Sequence, residues 1–321
     1  MSDLGEFQLI ERFFKRPARR QPLGVGDDCA LLQPRPGHHL AISTDMLVEG
    51  RHFFADVAPR ALGHKALAVN LSDLAACGAR PVAFQLALSL PKAEEGWLSE
   101  LSQGMLGLAD AWACELLGGD TTAGTLNLCI TVLGEVPQGQ ALLRSGARPG
   151  DQVWVSGVLG DARMGLDGLT GHLALDDAAS HAGRQALEWP QPRIALGLAL
   201  RGVATAAMDL SDGLAGDLPH LLRASCVGAD IRADWLPRSA HLARLPEADQ
   251  WRCQISGGDD YELLFTAPPH AAPAIQAAGR DSGTPVTCIG TIRQEPGLTW
   301  WRQQDERLPD LGLSGYDHFA R

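Results

Sequence analysis

Tyrosine is nearly missing from this chain: there are 2, and all aromatic residues together make up 6% of its 321 positions. Positive charge is also short, with 27 Lys and Arg against 38 Asp and Glu and a formal net charge of -11. That balance argues against a nucleic-acid backbone or an anionic membrane as the main partner. It leaves a phosphorylated ligand open, because bound divalent cations reverse the local sign. No apolar run approaches the roughly 18 residues of a membrane span. Met1 to Lys15 is acidic at first and then amphipathic, unlike a signal peptide. The 7 cysteines form no CxxC pair, their number is odd, and most have apolar sequence neighbours. The expectation is reduced, buried thiols in a cytoplasmic protein. Low-complexity segments and short-period repeats are missing as well.

What is present is a core and many glycine turns. Hydrophobic residues are 45% and charged residues 20% of the chain, as in ordinary folded proteins. The length suits one large or two ordinary domains. Aspartates recur beside glycine or hydroxyl residues: Gly26-Asp27-Asp28, Ser43-Thr44-Asp45, Leu71-Ser72-Asp73, Gly118-Gly119-Asp120-Thr121-Thr122, Asp209-Leu210-Ser211-Asp212-Gly213 and Gly257-Gly258-Asp259-Asp260.

Periodicity supplies the elements between these turns. Leu4, Phe7, Ile10, Phe13 and Phe14 predict a short amphipathic opening helix. Gly24 to Asp28 reads as a glycine loop whose amides can approach a phosphate, but it is neither a Walker loop nor a Rossmann fingerprint. His39 to Ser43 predicts a strand with Thr44-Asp45 at its end. Pro59 to Gly78 predicts a helix on which Lys65, Val69 and Asp73 share a face. Phe84 to Leu90 and Leu126 to Val132 alternate as strands. Leu98 to Leu116 forms a helical stripe that Gly118-Gly119 should stop. Pro137 to Gly150, around Arg144, reads as a boundary between domains over 1–138 and 149–321. Beyond it, Val153 to Ser156 predicts a strand, Gly171 to Gly183 a polar connection, and Pro192-Arg193 the start of a helix. Thr205 to Leu210 predicts a strand, Ser211 a helix cap, and Tyr261 to Phe265 another strand. Alternating strands and helices in both halves indicate two α/β (α+β) domains.

Aspartate and hydroxyl oxygens without a Cys/His cluster suit a hard cation such as Mg²⁺, Mn²⁺ or Ca²⁺ rather than zinc. No EF-hand pattern is present, because Asp209 to Gly213 lacks the alternating ligands and the terminal Glu. Two carboxylates ~4 Å apart repel by about 4 kcal/mol at an effective dielectric of ~20. If the distant turns converge, a cation is close to required. Magnesium usually binds one or two carboxylates together with substrate phosphates, so a metal-bridged nucleotide site and phosphoryl transfer are the expected chemistry.

The same residues resemble a known family. Gly26 to Ala30, Ser43 to Phe53, Asn70 to Ala76, Gly118 to Thr122, Met208 to Gly213, Gly257 to Phe265 and Gly315 to Phe319 resemble, in order along nearly the whole chain, the thiamine-monophosphate kinases. The resemblance implies the superfamily of aminoimidazole-ribonucleotide synthetase and selenophosphate synthetase. It further implies an N-terminal ATP- and magnesium-binding domain that forms a homodimer through its sheet, and a C-terminal domain completing the site. Carried over by position, Asp28, Ser43, Thr44, Asp45, Asp73, Asp120, Asp209 and Asp212 are implied magnesium ligands. Gly119, Asp120, Arg144 and Ser211 are implied ATP contacts, and His52, Glu262 and Tyr316 are implied contacts to thiamine monophosphate. Asp120, Asp212 and Arg144 are the implied catalytic residues. The family often has Glu where this chain has Asp259, which keeps the charge. By themselves His52 and Lys65 read as surface residues; Lys65 is a further phosphate candidate only from its spacing to Asp73.

The implied reaction agrees with the residue chemistry. A phosphate monoester has its second pKa near ~6, so the acceptor is mostly dianionic and needs no general base. The requirement is to bring two anions together in line. A non-catalytic cation-binding protein and another ATP-using synthetase of the superfamily are the alternative readings.

Overall fold

The computed structural model describes residues 5–26, 28–302, 306–308 and 314–316. Leu4, Asp27, Asp317, His318 and Phe319 lie outside the described residues. The chain forms two compact units, Met1–Leu74 with Ala79–Gly139, and Ala75–Gly78 with Gln140–Arg321.

The first unit opens with α1 (Glu6–Leu9), which continues into a wider turn over Ile10–Phe14. There the Lys15 N–H donates to the Ile10 carbonyl at 2.8 Å. The widening shifts the expected stripe: Leu9, Phe13 and Phe14 are buried, whereas Phe7 is 82% exposed. Next come β1 (His38–Val48), α2 (Pro59–Ala76), β2 (Arg80–Leu90), α3 (Glu95–Trp112), β3 (Glu115–Ala123) and β4 (Asn127–Pro137). The sheet order is β1-β4-β2-β3. β4 pairs antiparallel with β1 and β2, and β3 lies parallel to β2 as a β-α-β crossover requires.

Alternation along these strands separates two faces. Phe84, Leu86, Ile130 and Val132 are buried, while Thr44, Met46, Gln85 and Ala87 are exposed. The buried face meets the helices, whose Leu62, Leu67, Leu71, Leu98, Leu101 and Met105 are wholly enclosed. Each such side chain contributes about 1.5–3 kcal/mol by leaving water.

The ends of β1 and α3 differ from expectation for related reasons. β1 does not stop at Ser43; Thr44-Asp45 sits mid-strand, paired with Thr131 and Ile130. Gly118-Gly119 does not stop α3. The helix ends at Ala113, in the left-handed conformation (φ 53°), and Leu116 to Thr122 lies within β3. Gly119 has a φ of 147°, and a Cβ there would stand 1.7 Å from the Leu86 carbonyl oxygen. The glycine therefore serves close strand pairing rather than helix termination. Lys65 is also no surface lysine: it is 3% exposed.

The second unit contains β5 (Gln152–Ser156), α4 (Asp161–Leu169), α5 (Asp177–Glu188), α6 (Ile194–Ala199), β6 (Ala206–Asp209), α7 (Leu214–Ser225), β7 (Gly228–Arg232), α8 (Glu247–Ser256), β8 (Leu263–Ala267), α9 (Ala272–Asp281), β9 (Val286–Arg293) and β10 (Gly297–Trp301). Its six strands run β10-β7-β9-β5-β8-β6 and pair antiparallel except for β10 with β7. Val153, Val155, Met208, Leu218, Leu221, Leu264 and Ile289 belong to one core cluster. The expected polar connection over Gly171–Gly183 is half helix, because α5 starts at Asp177, where the Asp176 side chain caps the Ala179 N–H at 2.7 Å. Ser211 caps nothing: Gly213 holds the N-cap position of α7. β8 starts at Leu263, so Tyr261 and Glu262 precede it.

All seven cysteines are free, but only Cys114 and Cys253 are buried, so burial is not the general rule expected for them. No helix among the described residues is long and apolar enough to cross a membrane.

Candidate active site

In the first unit the sheet register decides which candidates meet. Met46, Cys129, Ala87 and Asp120 lie in one row across the four strands, and Thr44, Thr131, Gln85 and Gly118 in the next. Asp120 and Thr44 thus share the open face, where the Thr44 and Thr131 hydroxyls are 2.9 Å apart. Ser43 and Asp45 point the other way, toward α2. Ser43 Oγ donates to Asp73 Oδ2 in a short bond, and the Asp45 N–H donates to Asn70 Oδ1 at 2.9 Å. The implied ligands that the strands of this unit carry are divided between two faces of one sheet.

A cavity of about 990 Å³ lies within this unit. Asp28, Gly119, Asp120, Cys129 and Thr131 line it, with Phe7, Phe14 and Lys15 from the opening segment. Burial, and then the charge of Asp45, pushes the Cys129 thiol pKa up. Asp28, Asp120 and Thr131 offer oxygen donors to this cavity. His52 sits in the turn after β1, and the Val48 N–H donates to its Nδ1 at 3.0 Å. In the neutral ring that bond places the proton on Nε2.

In the second unit one loop, Leu210 to Gly213, gathers the candidates. The Leu210 N–H donates to the Glu262 carbonyl (2.9 Å), the Tyr261 N–H to the Leu210 carbonyl (2.8 Å), and the Asp259 N–H to the Ser211 carbonyl (2.9 Å). The Tyr316 N–H donates to the Asp212 carbonyl at 3.0 Å. Arg144 is held nearby: the Ala207 N–H donates to the Leu143 carbonyl (2.8 Å), and Ser225 Oγ donates to the Arg144 carbonyl (3.1 Å). Asp209, Ser211, Asp212, Glu262, Tyr316 and Arg144 therefore share one framework. Asp259 and Tyr261 adopt positive φ (66° and 49°), each costing about 1–3 kcal/mol that the surrounding bonds sustain.

Asp217 was not legible as a site residue. It occupies the first turns of α7, and its Oδ2 accepts the Asp212 N–H at 2.9 Å. Burial pushes its carboxyl up to about 7, and the Asp212 charge adds to this. The Asp212 and Ser211 N–H groups and the Arg144 charge pull the other way. Asp260 is pushed well above the carboxylate range by burial. Bonds from the Gly160 N–H oppose that shift, whereas the charges of Glu262, Asp161 and Asp259 reinforce it. The signal available in the sequence for Asp217 was an acid placed to meet the N-terminal amides of a helix.

Glu262 is 4% exposed and forms a two-pronged ion pair with Arg193. Among the described residues no three His, Cys, Asp or Glu side chains form a group that could hold a metal by themselves.

Comparison with known proteins extends these observations. Residues 26–136 match the model of the AIR synthase related protein, N-terminal domain, and residues 148–301 that of the C-terminal domain. The chain is 46% identical over 323 aligned positions to the thiamine-monophosphate kinase of Escherichia coli K12, covering 98% of each chain. Its fold is similar to the crystal structure of thiamine-monophosphate kinase from Stenotrophomonas maltophilia K279a. That match has a TM-score of 0.85 and 42% identity, and it covers 94% of this chain and 96% of the other. It is also similar to AaThiL complexed with AMPPCP and TMP (TM-score 0.77, 29% identity, 98% and 97% covered). End-to-end identity of this size, with both domain models matched in order, means that the chain belongs to the thiamine-monophosphate kinase family of AIR synthase related proteins.

Proposed function

We infer that this chain transfers the γ-phosphoryl group of ATP to thiamine monophosphate, giving ADP and thiamine diphosphate in thiamine biosynthesis. The observation that carries the reading is the Leu210–Gly213 loop, whose backbone hydrogen bonds bring Asp209, Ser211, Asp212, Glu262 and Tyr316 into one framework in a chain that aligns end to end with that family. AMPPCP and TMP in the AaThiL complex supply the two ligand classes.

The residue roles follow from the chemistry. Asp28, Ser43, Thr44, Asp45, Asp73 and Asp120 of the first unit, and Asp209 and Asp212 of the second, are proposed magnesium ligands. All are hard oxygen donors, and magnesium needs only one or two carboxylates beside phosphates, so the lack of a ready-made three-residue group among the described residues does not count against the fit. Magnesium, when bound, would supply positive charge that offsets the repulsion of the two phosphorylated ligands. Gly119 and Asp120, both lining the cavity of the first unit, are proposed to hold ATP with Arg144 and Ser211. Arg144 brings a fixed cation to the developing negative charge. His52, Glu262 and Tyr316 are proposed contacts to thiamine monophosphate. Asp120, Asp212 and Arg144 are the proposed catalytic residues, and no residue has to act as a general base.

The two domains, 1–138 and 149–321, are proposed to divide this work, the first binding ATP and magnesium and the second completing the substrate site. The first domain is also proposed to form a homodimer through its sheet. β1 is an edge strand whose open face exposes Leu40, Ile42 (62%) and Met46 (51%), a surface that calls for cover. A cytoplasmic location fits this reading and its seven free thiols.

The test is purified protein with ATP, Mg²⁺ and thiamine monophosphate, with products separated by chromatography. One ADP for each thiamine diphosphate is expected. ADP with free phosphate, formed only when an amide substrate is supplied, would move the chain to the synthetases of the superfamily. Cation binding with no ATP turnover would remove the enzyme reading.

A further inference from the structure

Glu262 is held more firmly than a substrate contact alone would need. Arg193 Nε donates to Oε2 at 2.8 Å, and Arg193 Nη2 donates to Oε1 in a short bond. Ser156 Oγ donates to Oε2, and accepts the Leu263 N–H at 2.8 Å. The backbone carbonyl of Glu262 takes the Leu210 N–H. A Cβ on Gly157, whose φ is 59°, would stand 1.9 Å from Oε1, so only glycine fits over the carboxylate. The Glu262 side chain is 6% exposed and that of Arg193 is 24% exposed. The end of β5, through Ser156, and the entry to α6, through Arg193, thus converge on one carboxylate, while the Leu210 N–H after β6 holds the backbone of the same residue.

We propose that Arg193 is a positioning residue of the acceptor site, acting through Glu262. This rests on the reading of Glu262 as an acceptor contact given above. The guanidinium fork fixes both oxygens in one plane, and Ser156 fixes Oε2 from a second direction. The carboxylate charge is balanced before substrate arrives. Glu262 therefore does not recognise the acceptor as a bare counter-ion for its cationic ring. Oε1 accepts one bond, from Arg193, and a carboxylate oxygen has room for two. The ligand chemistry that fits is an N–H donor on the heteroaromatic part of the acceptor.

The experiment compares wild type, Arg193→Lys, Ser156→Ala, Glu262→Gln and the double variant Arg193→Lys/Glu262→Gln. KM for thiamine monophosphate and for ATP are measured separately, with thiamine monophosphate binding followed by calorimetry. Arg193→Lys keeps the charge and loses the fork, so it should raise KM for thiamine monophosphate about tenfold and leave KM for ATP within about twofold. Ser156→Ala should do the same more weakly, by about threefold. In the Glu262→Gln background the Arg193 change should add less than about twofold, because both act through one group. Equal penalties in both backgrounds, or parallel rises in both KM values, would overturn the proposal. If Arg193→Lys melts below the assay temperature, Ser156→Ala decides, since an unchanged KM there overturns it as well. Wild-type protein that neither binds nor phosphorylates thiamine monophosphate would defeat the functional reading and the proposal together. Normal wild-type turnover with unshifted Arg193 and Ser156 variants would defeat the proposal alone.

Discussion

The two units present their candidate residues in opposite ways. In the first, Ser43, Thr44, Asp45 and Asp120 ride on regular strands and are divided between two faces of the sheet, and Asp120 lines an open cavity with Asp28. In the second, they are laced by backbone hydrogen bonds to a single loop and backed by buried ionisable groups such as Asp217 and Glu262. The first arrangement offers a broad polar surface that ligands must complete. The second fixes geometry in advance and bears the cost as positive φ at Asp259 and Tyr261. Strand pairing aims side chains by register alone, whereas a loop needs individual bonds to hold each one.

Substitutions can separate these two designs. The largest effect should come from Asp120→Asn and Asp212→Asn. Each is expected to lower kcat/KM for thiamine monophosphate at least about a hundredfold, or ~2.7 kcal/mol, with little change in thermal midpoint. Near-normal turnover in both would sink the metal assignments, and a collapse in stability of the Asp120 variant would break the contrast.

Gly119→Ala should act through the fold. Its new Cβ meets the Leu86 carbonyl at 1.7 Å, so a loss of about 2–4 kcal/mol in urea unfolding is expected. An unchanged urea midpoint would show that β3 can shift without cost.

Ile42→Asp should abolish self-association at micromolar concentration, read by sedimentation velocity, if the apolar edge of β1 is covered by a second copy. A dimer that survives the change would place the interface elsewhere.

The smallest effect concerns acid. Burial alone would raise the Glu135 pKa, but bonds from the Arg35 N–H and the Arg35 and Arg80 side chains hold it below the usual range. A depressed carboxylate contributes stability above its unfolded pKa and loses it as pH falls through the folded value. Both arginines are well exposed, so the contribution is about 1 kcal/mol or less. The melting temperature of wild type should fall more steeply between about pH 5 and about pH 3 than that of Glu135→Gln. Parallel slopes would refute the assignment.

Much of the fold was legible where apolar spacing was strong, as in α2, α3, β2 and β4. It failed where composition and context disagreed. Glycine and aspartate are poor strand formers, so Gly118 to Thr122 read as a turn, and only pairing with β2 makes it a strand. Thr44-Asp45 read as a strand end because aspartate is a poor strand former, although Ile42 and Met46 continue the alternation on either side. α5 was missed because its buried face consists of Ala179, Gly183 and Leu187, two of them too small to register as a stripe. The acidic motifs of the candidate site were legible and carried the resemblance to the family. Asp217, Arg193 and Ser156 were not, because each takes its meaning from a partner fixed only in the folded chain.

The cysteines give each unit a built-in clock. Cys114 is enclosed in the first unit and Cys253 in the second, and burial raises both thiol pKa values, that of Cys253 to about 12. Neither can react until its surroundings open. With the other five replaced, the rate of alkylation at one site reports the opening of one unit without interference from the other. Measured with and without nucleotide, the two rates would tell which half the ligand makes more rigid.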